Sequence, residues 1–100
     1  MSDKNFTVMI AGIAKSGMED YVKRNLVDMM KHSKKDDGCI IYNIHESMDR
    51  PGEFMVYMVW NNEESFEQHN QKPEMIAFKK KLAPEWFEQQ SPKTYWHVLS

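Results

Sequence analysis

Glu53-Phe54-Met55-Val56-Tyr57-Met58-Val59-Trp60 is apolar at almost every position, Asn61-Asn62-Glu63-Glu64 stops the run, and Ser65 to Phe78 continues as a helical pattern interrupted at Pro73. A short apolar run of this composition, bounded by turn residues, reads as a strand. Alternate side chains of a strand point to opposite faces, so a strand apolar on both must be covered on both. One cover is the helices of the chain itself. The other is expected from a second copy, which makes a homodimer through the helix-free sheet face the expected assembly.

Working outward, Phe6 to Lys15 is a second such strand, with Val8, Ile10, Gly12 and Ala14 on one face and Thr7, Met9, Ala11 and Ile13 on the other. Gly12 weakens a strand unless a helix, a bulge or a ligand comes close to it. Ser16-Gly17-Met18-Glu19 has the form of a capping box. The helix it opens runs to Ser33 on a stripe of Met18, Val22, Leu26, Met29 and Met30. Asp36-Asp37-Gly38 turns into a strand over Cys39–Ser47, whose faces are Ile40, Tyr42, Ile44 and Cys39, Ile41, Asn43, His45. Met48 to Gly52 closes a hairpin onto Glu53–Trp60. Asn61 with Glu64 caps the second helix, Pro73 breaks it, and Pro84 to Phe87 adds a turn. Lys93 to Leu99 is the fourth strand. The class is α+β: a ferredoxin-like β-α-β-β-α-β plan, a four-stranded antiparallel sheet with its helices on one face.

One hundred residues form a single domain, 1–100. Thirteen Lys+Arg against fifteen Asp+Glu give a net charge of −2, without the basic excess of a nucleic-acid binder. No apolar run approaches the ~18 residues of a membrane helix. The Met1-Ser2-Asp3-Lys4 start does not look like a signal peptide, and Cys39 has no partner for an internal disulfide, so a cytoplasmic location is expected. His32, His45, His69 and His97 lack metal-ligand spacing, and no phosphate-cradling glycine loop or nucleophile elbow occurs. No metal and no cofactor are expected.

Three segments carry a resemblance: Ala14-Lys15-Ser16-Gly17, Asp37-Gly38-Cys39-Ile40-Ile41-Tyr42, and Val59 to His69 with its Trp60, acidic turn and helix histidine. In this order they resemble the antibiotic biosynthesis monooxygenase (ABM) domain family of dimeric α+β barrels, across residues 6 to 99. The resemblance implies a dimeric α+β barrel and an activity among cofactor-independent oxygenases of quinols and polycyclic aromatics. The family also has a haem-degrading branch with an Asn, Trp, His set. Trp60 matches its Trp, but an apolar residue near Ile10 and the Phe78-Lys79 pair stand at the other two positions. A second departure is Pro73-Glu74, where family members often carry Pro-His.

The chemistry expected is an aromatic pocket between sheet and helices, binding a small aromatic ligand. His69 is the candidate base, since an imidazole titrates near neutrality, and Trp60 is the second candidate catalytic residue. Asn43 and His45 are candidates to hold a substrate oxygen, and Phe66, Phe78 and Gly12 to shape the pocket. Plainer roles stand beside these: Trp60 as core, His69 bonded to backbone, Asn43 and His45 as a solvated edge. Two other functions fit the same plan. One is a non-catalytic dimeric binding module, favoured by Glu74 in place of a second histidine. The other is an RNA-binding module, opposed by the acidic balance and by the lack of an RNP-like motif.

Overall fold

In the computed structural model the residues described are 5–82 and 84–99; the Met1–Lys4 start, on which the signal-peptide reading rests, lies outside them. The elements run β1 (Phe6–Ala14), α1 (Glu19–Ser33), β2 (Cys39–Glu46), β3 (Glu53–Trp60), α2 (Glu63–Gln71), α3 (Pro73–Lys81), β4 (Phe87–Gln90) and β5 (Thr94–His97). The sheet is antiparallel, ordered β2-β3-β1, with β4 and β5 both on the far side of β1. This is the ferredoxin-like α+β plan, with its last strand in two pieces. β5 pairs with Phe6–Met9 and β4 with Gly12–Ala14. Between them Ser91-Pro92-Lys93 breaks the ladder, because proline has no N–H to donate.

The inner face of β3 (Phe54, Val56, Met58, Trp60) is buried against Phe6, Val8 and Ala14 of β1 and Tyr42 of β2. Val22, Leu26 and Met29 of α1, Phe66 of α2, and Met75 and Phe78 of α3 close over it. Burying a side chain of this size contributes about 1.5–3 kcal/mol, so this face supplies most of the domain's stability. Among the described residues, no helix packs on the other face. Met9, Ala11, Ile13, Met55 and Tyr57 there are only partly buried, and Ile41 and Trp96 are exposed.

Four local expectations are corrected. The Ser16 capping box does not form. Met18 N–H bonds Lys15 O at 2.9 Å, the helix starts at Glu19, and the Glu19 carboxylate instead accepts from the Gly17 N–H at 2.8 Å. The cap of α2 is Asn62, which accepts from the Ser65 N–H at 2.9 Å; Asn61 instead accepts from the Ser65 hydroxyl. A bulge between Cys39 and Ile41 places Cys39 opposite Trp60 on the helix side and leaves Ile40 half exposed. Pro84–Trp86 is one 3-10 turn, but Phe87 opens β4, a strand the sequence reading does not include. The interruption at Pro73 holds: proline occupies the first turn of α3, where its missing N–H costs nothing.

Gly12 is where β1 meets β4. A Cβ there would stand 3.0 Å from the Phe87 ring and 3.3 Å from the Gln89 carbonyl oxygen. Gly12→Val is expected to destabilise the domain by about 1–3 kcal/mol through overpacking. The measurement is the urea midpoint, which should fall at constant m-value; an unmoved midpoint would mean that Phe87 yields freely.

Candidate active site

A cavity of about 350 Å³ lies between the inner sheet face and the helices. Its interior is apolar: Ile10 and Gly12 from β1, Leu26 and Met29 from α1, Tyr42 from β2, Phe54, Val56 and Met58 from β3, and Phe66, Met75, Leu82 and Phe87. Its polar groups are His69, Asn70, Lys79, Gln90, Ser91 and Lys93. Ser91 is pinned to β1, its N–H donating to Ala11 O at 2.8 Å while its hydroxyl accepts the Ala11 N–H at 2.9 Å.

His69 sits in the last turn of α2 and is 1% exposed. Its Nδ1 is 2.6 Å from Asp36 Oδ2, and the other carboxylate oxygen of Asp36 accepts from Lys72 Nζ at 2.5 Å. Trp60 lies behind the imidazole with ring centroids 4.7 Å apart, Phe66 stacks at 6.3 Å, and the Tyr42 ring approaches edge-on at 6.0 Å. With Nδ1 committed to Asp36, Nε2 is the nitrogen left for a cavity ligand.

The Asp36 side chain is delivered by the loop after α1. Asp36 N–H bonds Ser33 O, Cys39 N–H bonds Asp36 O, and the Gly38 carbonyl accepts from the Asn61 N–H at 2.9 Å. Gly38 has φ +83°, and a side chain there would run into Ser65 and Asn61. The loop before β2 and the start of α2 are therefore interlocked, which fixes the distance between Asp36 and His69.

Burial pulls the His69 pKa below its ordinary 6.5, and the hydrogen bond and charge of Asp36 only partly oppose this. Burial pushes Asp36 the other way, but the hydrogen bonds and charges of Lys72 and His69 together hold its carboxyl below 3.8. Near neutrality the pair is therefore a carboxylate accepting Nδ1–H from a neutral imidazole, whose Nε2 carries a lone pair. Burial raises the Tyr42 phenol well above its ordinary value and lifts the Cys39 thiol to about 11, so Tyr42 is a neutral donor and Cys39 no nucleophile.

Of the residues expected at the site, His69, Phe66 and Gly12 line the cavity. Trp60 does not. It is fully buried beneath His69, and its Nε1–H has no partner among the described residues. Phe78 packs in the core near His32 instead of facing the cavity. Asn43 and His45 are paired with Tyr57 and Met55, so they stand on the helix-free face, away from His69. Asp36, Lys72 and Tyr42 were not among the expected site residues. Asp36 reads locally as a turn residue, and nothing in its neighbourhood signals a partner far along the chain.

Both shifts make the fold sensitive to acid. A lowered His69 pKa means that the unfolded chain takes up the proton first, so stability is whole above pH 6.5 and falls as the pH drops below it. A lowered Asp36 pKa adds a second loss below 3.8. Chemical denaturation across pH should show the upper step in the wild type and its removal in His69→Gln. In Asp36→Asn, which lacks the carboxylate that raises the imidazole pKa, an NMR titration should place His69 lower still.

The chain resembles solved structures along almost its whole length. A protein from Shewanella oneidensis superimposes with a TM-score of 0.87 at 18% identity, over 96% of this chain and 92% of the other. A protein from Pseudomonas aeruginosa gives 0.89 at 16% identity, over 100% and 99%. A candidate antibiotic biosynthesis monooxygenase from Nitrosomonas europaea gives 0.89 at 14% identity, over 99% and 94%. These likenesses are of fold. No curated protein matches in sequence. The family model "Antibiotic biosynthesis monooxygenase" matches residues 5–81, which hold β1 through α3 and with them the Asp36–His69 pair. The chain belongs to the antibiotic biosynthesis monooxygenase family.

Proposed function

We propose that the protein is a cofactor-independent monooxygenase, acting as a cytoplasmic homodimer on a small aromatic or quinol-type substrate held against His69. The observation that carries this reading is a neutral, buried imidazole anchored by Asp36 at the wall of a largely apolar cavity. A base for carbon or phenol acidity needs a lone pair at neutral pH, fixed orientation and little water. His69 has the first through its lowered pKa and the second through Asp36. The cavity volume lies at the small end of the range for ligand sites, about 300–1,000 Å³.

With an anthrone-like substrate, Nε2 removes a proton from the activated methylene. The carbanion passes one electron to dioxygen, giving a substrate radical and superoxide. These join in a carbon–oxygen bond, and the peroxide takes the proton back from the imidazolium. Loss of the second methylene proton with O–O cleavage leaves a carbonyl and releases water. One oxygen atom enters the product, the other leaves as water, and the methylene, oxidised to a carbonyl, supplies all four electrons. Tyr42 and Asn70 also line the cavity, and we assign them to donate to the substrate oxygen on which charge gathers.

Oxygen uptake with a panel of hydroquinones and anthrones tests the chemistry. The wild type should exceed the blank, and His69→Ala should lose about 10²–10⁴-fold in turnover. Binding without uptake would instead identify a non-catalytic small-molecule module.

The homodimer reading is supported by the partly buried Met9, Met55 and Tyr57 on a sheet face that no helix covers. Sedimentation at micromolar concentration should give the mass of two chains, and Tyr57→Asp should shift it to one. A wild type that sediments as a single chain ends this reading.

A further inference from the structure

Lys79 of α3 and Lys93, between β4 and β5, both line the cavity and both are exposed, so they stand where it opens to solvent. Neither makes a salt bridge among the described residues. No aspartate or glutamate is among the residues lining the cavity, although acidic residues outnumber basic ones in the chain. Lys93 Nζ lies 5.7 Å from the centre of the Phe66 ring, the ring that stacks on His69. Partial desolvation of the Lys93 side chain, and then the charge of Lys79, draw the Lys93 pKa down, and Lys79 is also among the charges that lower that of His69. Two cations within reach of each other at the opening of an apolar cavity repel, and low-dielectric walls strengthen the field they cast inward.

We propose that the cavity selects an aromatic ligand bearing one carboxylate, held between Lys79 and Lys93 while its ring body lies against Phe66 and His69. This deepens the reading of the cavity as a substrate site and rests on it. The two lysines come from separate segments, α3 and the break at Pro92. An acid held there would orient the reactive carbon toward the imidazole, so the pair sets specificity and takes no part in proton transfer.

Isothermal titration at low salt with naphthoate and with the neutral, isosteric naphthamide tests the proposal. The wild type should bind naphthoate about tenfold more tightly, the equivalent of one charge-assisted contact. The Lys79→Gln/Lys93→Gln double variant should lose that preference and keep its affinity for the amide. The Lys79→Arg/Lys93→Arg variant should retain the preference. Both variants change exposed side chains, and unchanged circular dichroism and Tm would show that they are folded. Equal binding of acid and amide by the wild type, or a preference that survives the glutamine changes, overturns the proposal and leaves the cavity reading standing. Failure of both probes to bind overturns the cavity reading and the proposal together.

Discussion

A histidine with almost no exposed surface must find a partner for its ring N–H inside the protein, because an unmade hydrogen bond to a buried donor costs about 1–3 kcal/mol. In this domain the partner is Asp36, brought from the far end of α1 and held in turn by Lys72. Much else follows from that bond. It dictates where the loop before β2 runs, ties that loop to α2, and leaves one imidazole nitrogen unspent at the edge of the core.

Packing and electrostatics cooperate around this pair. Trp60, Phe66 and Tyr42 enclose the ring on three sides, which both excludes water and keeps the imidazole uncharged. The same desolvation acts on Tyr42, so the groups around His69 are neutral while the cations of the cavity are the exposed Lys79 and Lys93. A site of this kind separates recognition from reaction in space. On the proposed reading, the apolar walls would measure shape, the cations charge, and a single oriented base would meet the reactive bond.

Much of the fold was legible because its signals repeat. The unbroken apolar runs of β1 and β3, the stripe of α1 and the stop at Pro73 each involve several residues that agree. What escaped depends on distant partners. The bulge at Ile40 lies beside the hydrogen bond from the Asn61 N–H to the Gly38 carbonyl, and no pattern within β2 announces it. β4 is Phe87-Glu88-Gln89-Gln90, too polar to read as a strand; it pairs because β1 offers an open edge. The site was half legible. His69 stood out as a titratable group in a helix, and Phe66 and Gly12 as cavity walls. Asp36 looked like any turn aspartate. Asn43 and His45 could be assigned to a face but not to a side of the sheet, since both faces of β2 carry apolar residues.

The divided last strand also bears on how the molecule comes into being. β1, near the start, has β3 on one flank and receives β4 and β5 on the other, with Phe6 matched to His97. While the ribosome is still extending the chain, that second flank is bare: a row of unpaired amides and carbonyls beside an apolar face, the kind of edge that recruits strands from neighbouring nascent chains. Within this domain, the strand that comes first in the chain is thus the last to be fully enclosed.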